Sequence, residues 1–153
     1  MLPLFSILDE IILYLDFMQD IREINILIAD DDEEDLELIE EAILNFEPNV
    51  KLHKVNDGKA VLEYLEELQD HMLPALIVLD YNMPQMKGSE VLLQLSDRPR
   101  YKRVPKVILS TSSTPFYIDE CKSKGAAEYF VKPNTQRELD ALAERMLSFA
   151  VIN

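Results

Sequence analysis

The run Ala75-Leu76-Ile77-Val78-Leu79, closed by Asp80, constrains the fold more than any other stretch of the chain. Five apolar residues without polar alternation cannot make a strand with one wet face, so both faces must be covered. The run is also far too short to cross a bilayer. Strands buried on both sides belong to parallel sheets, whose crossover helices supply the cover. The flanking sequence has that form. Strand signals fall at Ile24 to Ala29, Val50 to Val55, Ala75 to Asp80, Pro105 to Ser110 and Glu128 to Val131. Between and after them, apolar residues recur at helical spacing in Glu33 to Asn45, Lys59 to Leu68, Ser89 to Leu95, Thr114 to Lys122 and Thr135 to Phe149. Thr135 with Glu138 three residues on forms a capping-box start. Strands alternating with helices in this way predict an α/β, doubly wound five-stranded parallel sheet, and 153 residues fit one such domain.

Charge narrows the function classes. Fifteen Lys and Arg stand against 29 Asp and Glu, a net −14, so the chain lacks the footing to bind a phosphate backbone and no nucleic acid is expected. Cys121, His53 and His71 form no thiolate or imidazole metal cluster, and one cysteine suits a reducing, cytoplasmic setting. Ten carboxylates and no Lys or Arg lie between residues 30 and 47. The basic cluster Arg98, Arg100, Lys102, Arg103 and Lys106 reads as a solvated edge before the fourth strand.

Residues 1–22 read as a helical extension and 23–153 as the domain. Leu4, Ile7, Leu8, Ile11, Leu15 and Met18 share one stripe of the extension. No basic residue precedes Arg22, and Asp9, Glu10, Asp16 and Asp20 interrupt the segment, so it is neither a signal peptide nor a membrane insertion. The helix either packs on its own domain or pairs with a second copy in a homodimer. Met18 is an alternative start, which would make the preceding residues an upstream extension.

In a doubly wound sheet, ligands bind beyond the carboxyl ends of the strands. Asp30-Asp31, Asp80, Ser110-Thr111 and Lys132-Pro133 stand there. Taken singly each is unremarkable: Asp31 or Asp32 could cap the next helix, and Asp80 could begin an ordinary turn. Jointly, three carboxylates in one cleft would repel and raise one another's pKa unless a cation sat among them. A hard divalent ion with oxygen ligands, magnesium above all, suits an open cleft, and Lys132 adds a fixed positive charge.

Ile26-Leu27-Ile28-Ala29-Asp30-Asp31-Asp32, Leu79-Asp80-Tyr81-Asn82-Met83-Pro84 with Met86-Lys87-Gly88, and Tyr129-Phe130-Val131-Lys132-Pro133 together resemble the receiver domain of two-component response regulators. The likeness runs from Ile24 to Phe149, in the family's order, and Leu109 to Ser113 is similar to stand-alone receivers related to phytochrome response regulators. It implies a flavodoxin-like sheet of order 2-1-3-4-5. It also implies that Asp80 is the phosphoacceptor, taking a phosphoryl group from a histidine kinase or phosphotransfer protein. Asp31, Asp80 and the Asn82 carbonyl would hold magnesium, with Asp30 on a metal-bound water. Lys132 and Ser110 would stabilise the phosphoryl group, Ser110 and Tyr129 would move as the switch, and the Lys132–Pro133 bond would be cis. Asn82 and Ser112 occupy positions that in the family tune dephosphorylation, and Thr111 stands where many receivers have alanine.

Three functions compete on this reading. The first is a single-domain phosphorylation switch, catalysing only its own phosphorylation and dephosphorylation. It would signal to an unknown downstream protein through the face made by the helix over 114–122, the fifth strand and the last helix. The second is a constitutive dimeric interaction module built on the N-terminal helix. The third, a phosphatase of the haloacid dehalogenase class, needs an acid two residues after the acceptor, and position 82 is Asn.

Overall fold

A computed structural model describes residues 4–151; residues 1–3 of the expected N-terminal helix lie outside them. Helix α1 covers Leu4–Arg22, and β1 (Ile24–Ala29) follows directly. Then come α2 (Glu33–Phe46), β2 (Val50–Val55), α3 (Gly58–Glu67), β3 (Leu76–Asp80), α4 (Gly88–Ser96), β4 (Lys106–Ser110), α5 (Pro115–Ser123), β5 (Glu128–Val131) and α6 (Gln136–Val151). Short 3₁₀ turns at Asp70–Met72 and Pro99–Tyr101 precede β3 and β4.

All pairings are parallel and the sheet order is β2-β1-β3-β4-β5. The register sets Ala29 beside Leu79, and Asp80 beside Leu109, so the strand ends finish close to level. Alternation along the strands divides the core. Ile26, Ile28, Val78, Val107, Leu109 and Phe130 pack against α2 and α6 on one face. Leu27, Ala29, Ile77, Leu79 and Ile108 pack against α3, α4 and α5 on the other. The apolar run of β3 is buried throughout, as expected of a central parallel strand.

Local signals account for the helix starts. Asp32 caps α2, accepting from the N–H groups of Glu34 at 3.0 Å and Asp35 at 3.3 Å. Asp57 caps α3 by accepting from Ala60 N–H at 2.7 Å. Ahead of α6, Thr135 Oγ1 accepts from Glu138 N–H while the Glu138 carboxylate reaches back to Asn134 N–H, one residue earlier than a strict capping box.

The basic cluster is more engaged than a solvated edge. Arg98 pairs with Glu66. Arg100 pairs with Asp70 and donates to the carbonyls of Leu65 and Leu68. Lys106 is buried, its ammonium donating to the Tyr101 carbonyl at 2.6 Å. Helix α1 shows the opposite pattern: Leu8, Ile12, Leu13, Leu15 and Phe17 are each at least half exposed. Among the described residues no helix is long and apolar enough to cross a membrane.

Candidate phosphoacceptor site

The loops leaving β1, β3, β4 and β5 converge at the carboxyl edge of the sheet. Asp30, just past β1, is fully buried, and one of its oxygens accepts from Asp32 N–H at 2.9 Å. Asp31 is exposed beside it. Asp80 ends β3 at 4% exposure. One oxygen from each of Asp30, Asp31 and Asp80 lies within 4.8 Å of the other two, a spacing that can hold a metal ion.

Lys132, just past β5, reaches into this group. Its Nζ is 2.8 Å from Asp30 Oδ2, 2.8 Å from Asp35 Oδ2 and 3.5 Å from Asp80 Oδ1. Burial alone would pull the ammonium pKa down, but the facing carboxylates outweigh it and hold Lys132 above its ordinary value. Asp80 moves the other way. Burial first, then the neighbouring Asp30 charge, push its carboxyl from 3.8 up to about 7, against the opposing pull of Lys132. Asp30 Oδ2 accepts no well-directed hydrogen bond, and the Lys132 ammonium is what offsets its charge. Hard oxygen donors, an under-coordinated buried oxygen and a carboxyl pushed to about 7 together fit a divalent cation.

The remaining predicted residues surround Asp80. Asn82 is exposed, and its backbone N–H hydrogen-bonds the Asp80 carboxylate. Ser110 is buried at the end of β4, its Oγ accepting from Ser112 N–H at 3.1 Å. Lys132 N–H donates to the Ser110 carbonyl at 2.7 Å, tying the lysine loop to β4. Tyr129 is buried, and its hydroxyl donates to the Ser112 carbonyl at 2.7 Å. Thr111 is exposed.

The cis expectation at Pro133 fails, because the Lys132–Pro133 peptide is trans. Trans is the intrinsically favoured isomer of an X-Pro bond by about 0.5–1 kcal/mol, and the lysine reaches its three carboxylates without the alternative.

Below Asp80 the backbone is crowded. Gln85 adopts a left-handed φ of 68°, turning the loop so that Gly88 N–H donates to the Tyr81 carbonyl at 2.9 Å. A Cβ on Gly88 would lie 2.4 Å from the Asp80 carbonyl oxygen, so only glycine fits there. Tyr81 is buried with its hydroxyl on Glu120 Oε2 at 2.9 Å, and burial pushes that hydroxyl up to about 12.

Two partners were missed in the sequence. Asp35 is one acid among ten, and the available signal was its place three residues past the Asp32 cap. Glu120 carried no signal, because its contact with Tyr81 spans 39 residues.

A family model for the response regulator receiver domain matches residues 26–144. The chain belongs to this family. The receiver is 32% identical over 135 residues to the two-component response regulator ARR17 of Arabidopsis thaliana, covering 83% of this chain and 87% of ARR17. It is 33% identical over 93 residues to the two-component response regulator ORR11 of Oryza sativa subsp. japonica, covering 61% of each. The chain thus spans about three fifths of the rice relative's length. Among solved structures, the phosphorylated cyanobacterial phytochrome response regulator RcpA superposes with a TM-score of 0.76 at 29% identity, covering 84% of this receiver and 94% of RcpA. The Mn(2+)-bound form of response regulator Rcp1 gives 0.72 at 27% identity, covering 83% and 94%. Receivers are phosphoacceptor modules of two-component signalling rather than enzymes acting on separate substrates.

Proposed function

We propose that this receiver takes a phosphoryl group onto Asp80 from a phosphohistidine of a sensor histidine kinase or phosphotransfer protein, and passes the signal to a protein partner in the cytoplasm. The observation that carries this reading is the Lys132 ammonium set 3.5 Å from Asp80 Oδ1 inside a cluster of three carboxylates. An Asp80 oxygen attacks phosphorus, the P–N bond breaks, and its electron pair leaves with the imidazole nitrogen. Asp30, Asp31, Asp80 and the Asn82 carbonyl would hold magnesium. Bound there, it would keep Asp80 ionised and would neutralise charge on the transferring oxygens. Lys132 donates to a second phosphoryl oxygen and Ser110 to a third. Drawing Ser110 inward pulls on the 110–114 loop, whose Ser112 carbonyl holds the Tyr129 hydroxyl. The tyrosine ring then reports occupancy at the face formed by α5, β5 and α6. On this reading residues 23–153 are the signalling unit and 1–22 an extension of it.

Labelling with acetyl phosphate and magnesium tests the acceptor. Wild type gains an acid-stable, base-labile phosphoryl group and Asp80→Asn does not; undiminished labelling of the variant refutes the assignment.

The exposed apolar face of α1 favours a second role, a homodimer formed by pairing two copies of this helix. Leu8, Ile11 and Leu15 repeat at spacings of three and four, the seam two helices share, and all three lie in the open. The acidic residues Asp9, Glu10 and Asp16, with no basic residue nearby, disfavour an anionic lipid surface as its cover. Sedimentation of the chain with and without residues 1–22 separates the cases: a dimer reduced to monomer by truncation supports the role, and a monomer in both ends it.

A further inference from the structure

We infer that Asp35 is a positioning residue that competes with the incoming phosphoryl group for the Lys132 ammonium, and so restrains the phosphorylated state. This rests on Asp80 being the acceptor. Lys132 Nζ lies 2.8 Å from Asp35 Oδ2 and donates a hydrogen bond to it, while Asp80 Oδ1 is 3.5 Å away. The ammonium is therefore drawn toward α2 and off the acceptor. Asp35 is well placed to hold it. Its backbone N–H is fixed by the Asp32 cap in the first turn of α2, and that same turn aims its carboxylate at a lysine 97 residues away.

An ammonium has three protons to donate. In the resting site Asp35 takes one in a charge-assisted hydrogen bond, and the buried Asp30 carboxylate lies at 2.8 Å. A phosphoryl group on Asp80 brings anionic oxygens to the side of the ammonium that faces Asp80 across 3.5 Å, and their pull draws the ammonium back from Asp35. Asp30 is fully buried and cannot turn to water if the ammonium leaves it, so the ammonium stays with Asp30, and the exchange falls on Asp35. Asp35 is one-third exposed, so water can replace the lysine when it is released. The exchange is thus reversible, and every phosphorylation event works against the Asp35 contact.

Beryllofluoride, a phosphoryl mimic, tests this by binding rather than turnover, titrated at saturating magnesium and followed by NMR. Asp35→Asn is expected to bind it about three- to tenfold more tightly than wild type, the size of one partly exposed charge-assisted hydrogen bond. Asp35→Ser should move the same way, and Asp35→Glu, which keeps the charge, should fall back toward wild type. Glu34→Gln removes one charge from the same helical turn without a lysine contact, and should leave the affinity near wild type. After acetyl phosphate loading, the phosphoryl half-life of Asp35→Asn should lengthen by a similar factor. Equal or weaker beryllofluoride binding by Asp35→Asn overturns the inference, as does an equal gain from Glu34→Gln. If wild type takes up neither beryllofluoride nor phosphoryl label, the assignment of Asp80 fails and this inference goes with it. If wild type binds and Asp35→Asn is unchanged, only the role of Asp35 fails.

Discussion

Replacing Asp80 with Asn is expected to make the cation-free protein more stable at neutral pH, although it abolishes the proposed function. Burial and the Asp30 charge raise the Asp80 carboxyl from 3.8 to about 7, so the folded protein holds a proton that the unfolded chain releases. Below about pH 3.8 both states carry the proton and no penalty exists. As pH rises from there to about 7, the unfolded chain ionises first and stability falls; above 7 the full penalty is present. At about 1.4 kcal/mol per tenfold in proton affinity, the ceiling is about 4 kcal/mol. Because Asp30 and Asp80 share the local charge, about half of that, some 2 kcal/mol, is the working expectation. For a chain of this size that is about 4–8 °C in melting temperature. The assay is thermal denaturation by circular dichroism in EDTA at pH 5.5 and pH 8, for wild type and Asp80→Asn. The variant should melt higher at pH 8, and the gap should narrow at pH 5.5. Magnesium should then raise wild type, through binding to the folded state alone, and leave the variant nearly unmoved. A variant no more stable than wild type at pH 8, or a gap just as wide at pH 5.5 as at pH 8, would refute the reasoning.

Lys132→Ala strips the counter-charge from the buried Asp30 oxygen and should cost about 3–5 kcal/mol in urea unfolding, while adding Asp30→Asn should recover much of the loss. Gly88→Ala sets a methyl group 2.4 Å from the Asp80 carbonyl oxygen and should destabilise by about 1–3 kcal/mol, with weaker magnesium affinity by calorimetry because the acceptor strand end must shift. Tyr129→Phe removes the hydroxyl that holds the Ser112 carbonyl. About 1 kcal/mol should be lost, and amide exchange should quicken in residues 110–114 with little change elsewhere.

The strands were legible because a parallel sheet writes its burial directly into composition. The Ala75 to Asp80 run needs only its first residue trimmed to become β3, and Pro105 falls just outside β4 because proline brings no N–H to the ladder. Two helix starts were legible to within a residue from Asp32 and Thr135, whose side chains cap in the way their chemistry requires. The Asp30, Asp31 and Asp80 cluster was legible because strand ends in this topology must meet on one edge. Asp35 was not, since its place three residues past the Asp32 cap says nothing of a partner 97 residues away. Lys106 was misread for the same reason: a lysine opening a strand becomes buried only because the Pro99–Tyr101 turn presents a carbonyl to it. The Lys132–Pro133 geometry was inferred from family likeness alone, without a local physical argument, and the bond is trans.

Arg100 and Lys106 give the two edges of the sheet different mechanical characters. At the amino edge, one guanidinium bridges Asp70 and the carbonyls that close α3, and one buried ammonium ties the start of β4 to the turn before it. At the carboxyl edge, the Lys132 ammonium gathers the β1 and β5 loops and the first turn of α2, whereas the 110–114 loop beside Asp80 is held at its outer side by single contacts such as Tyr129 to Ser112. Strain introduced at Asp80 would meet the more heavily tied edge below it and the singly held 110–114 loop beside it. A displacement begun there would be steered sideways, toward the outer helices, rather than dissipated down the strands.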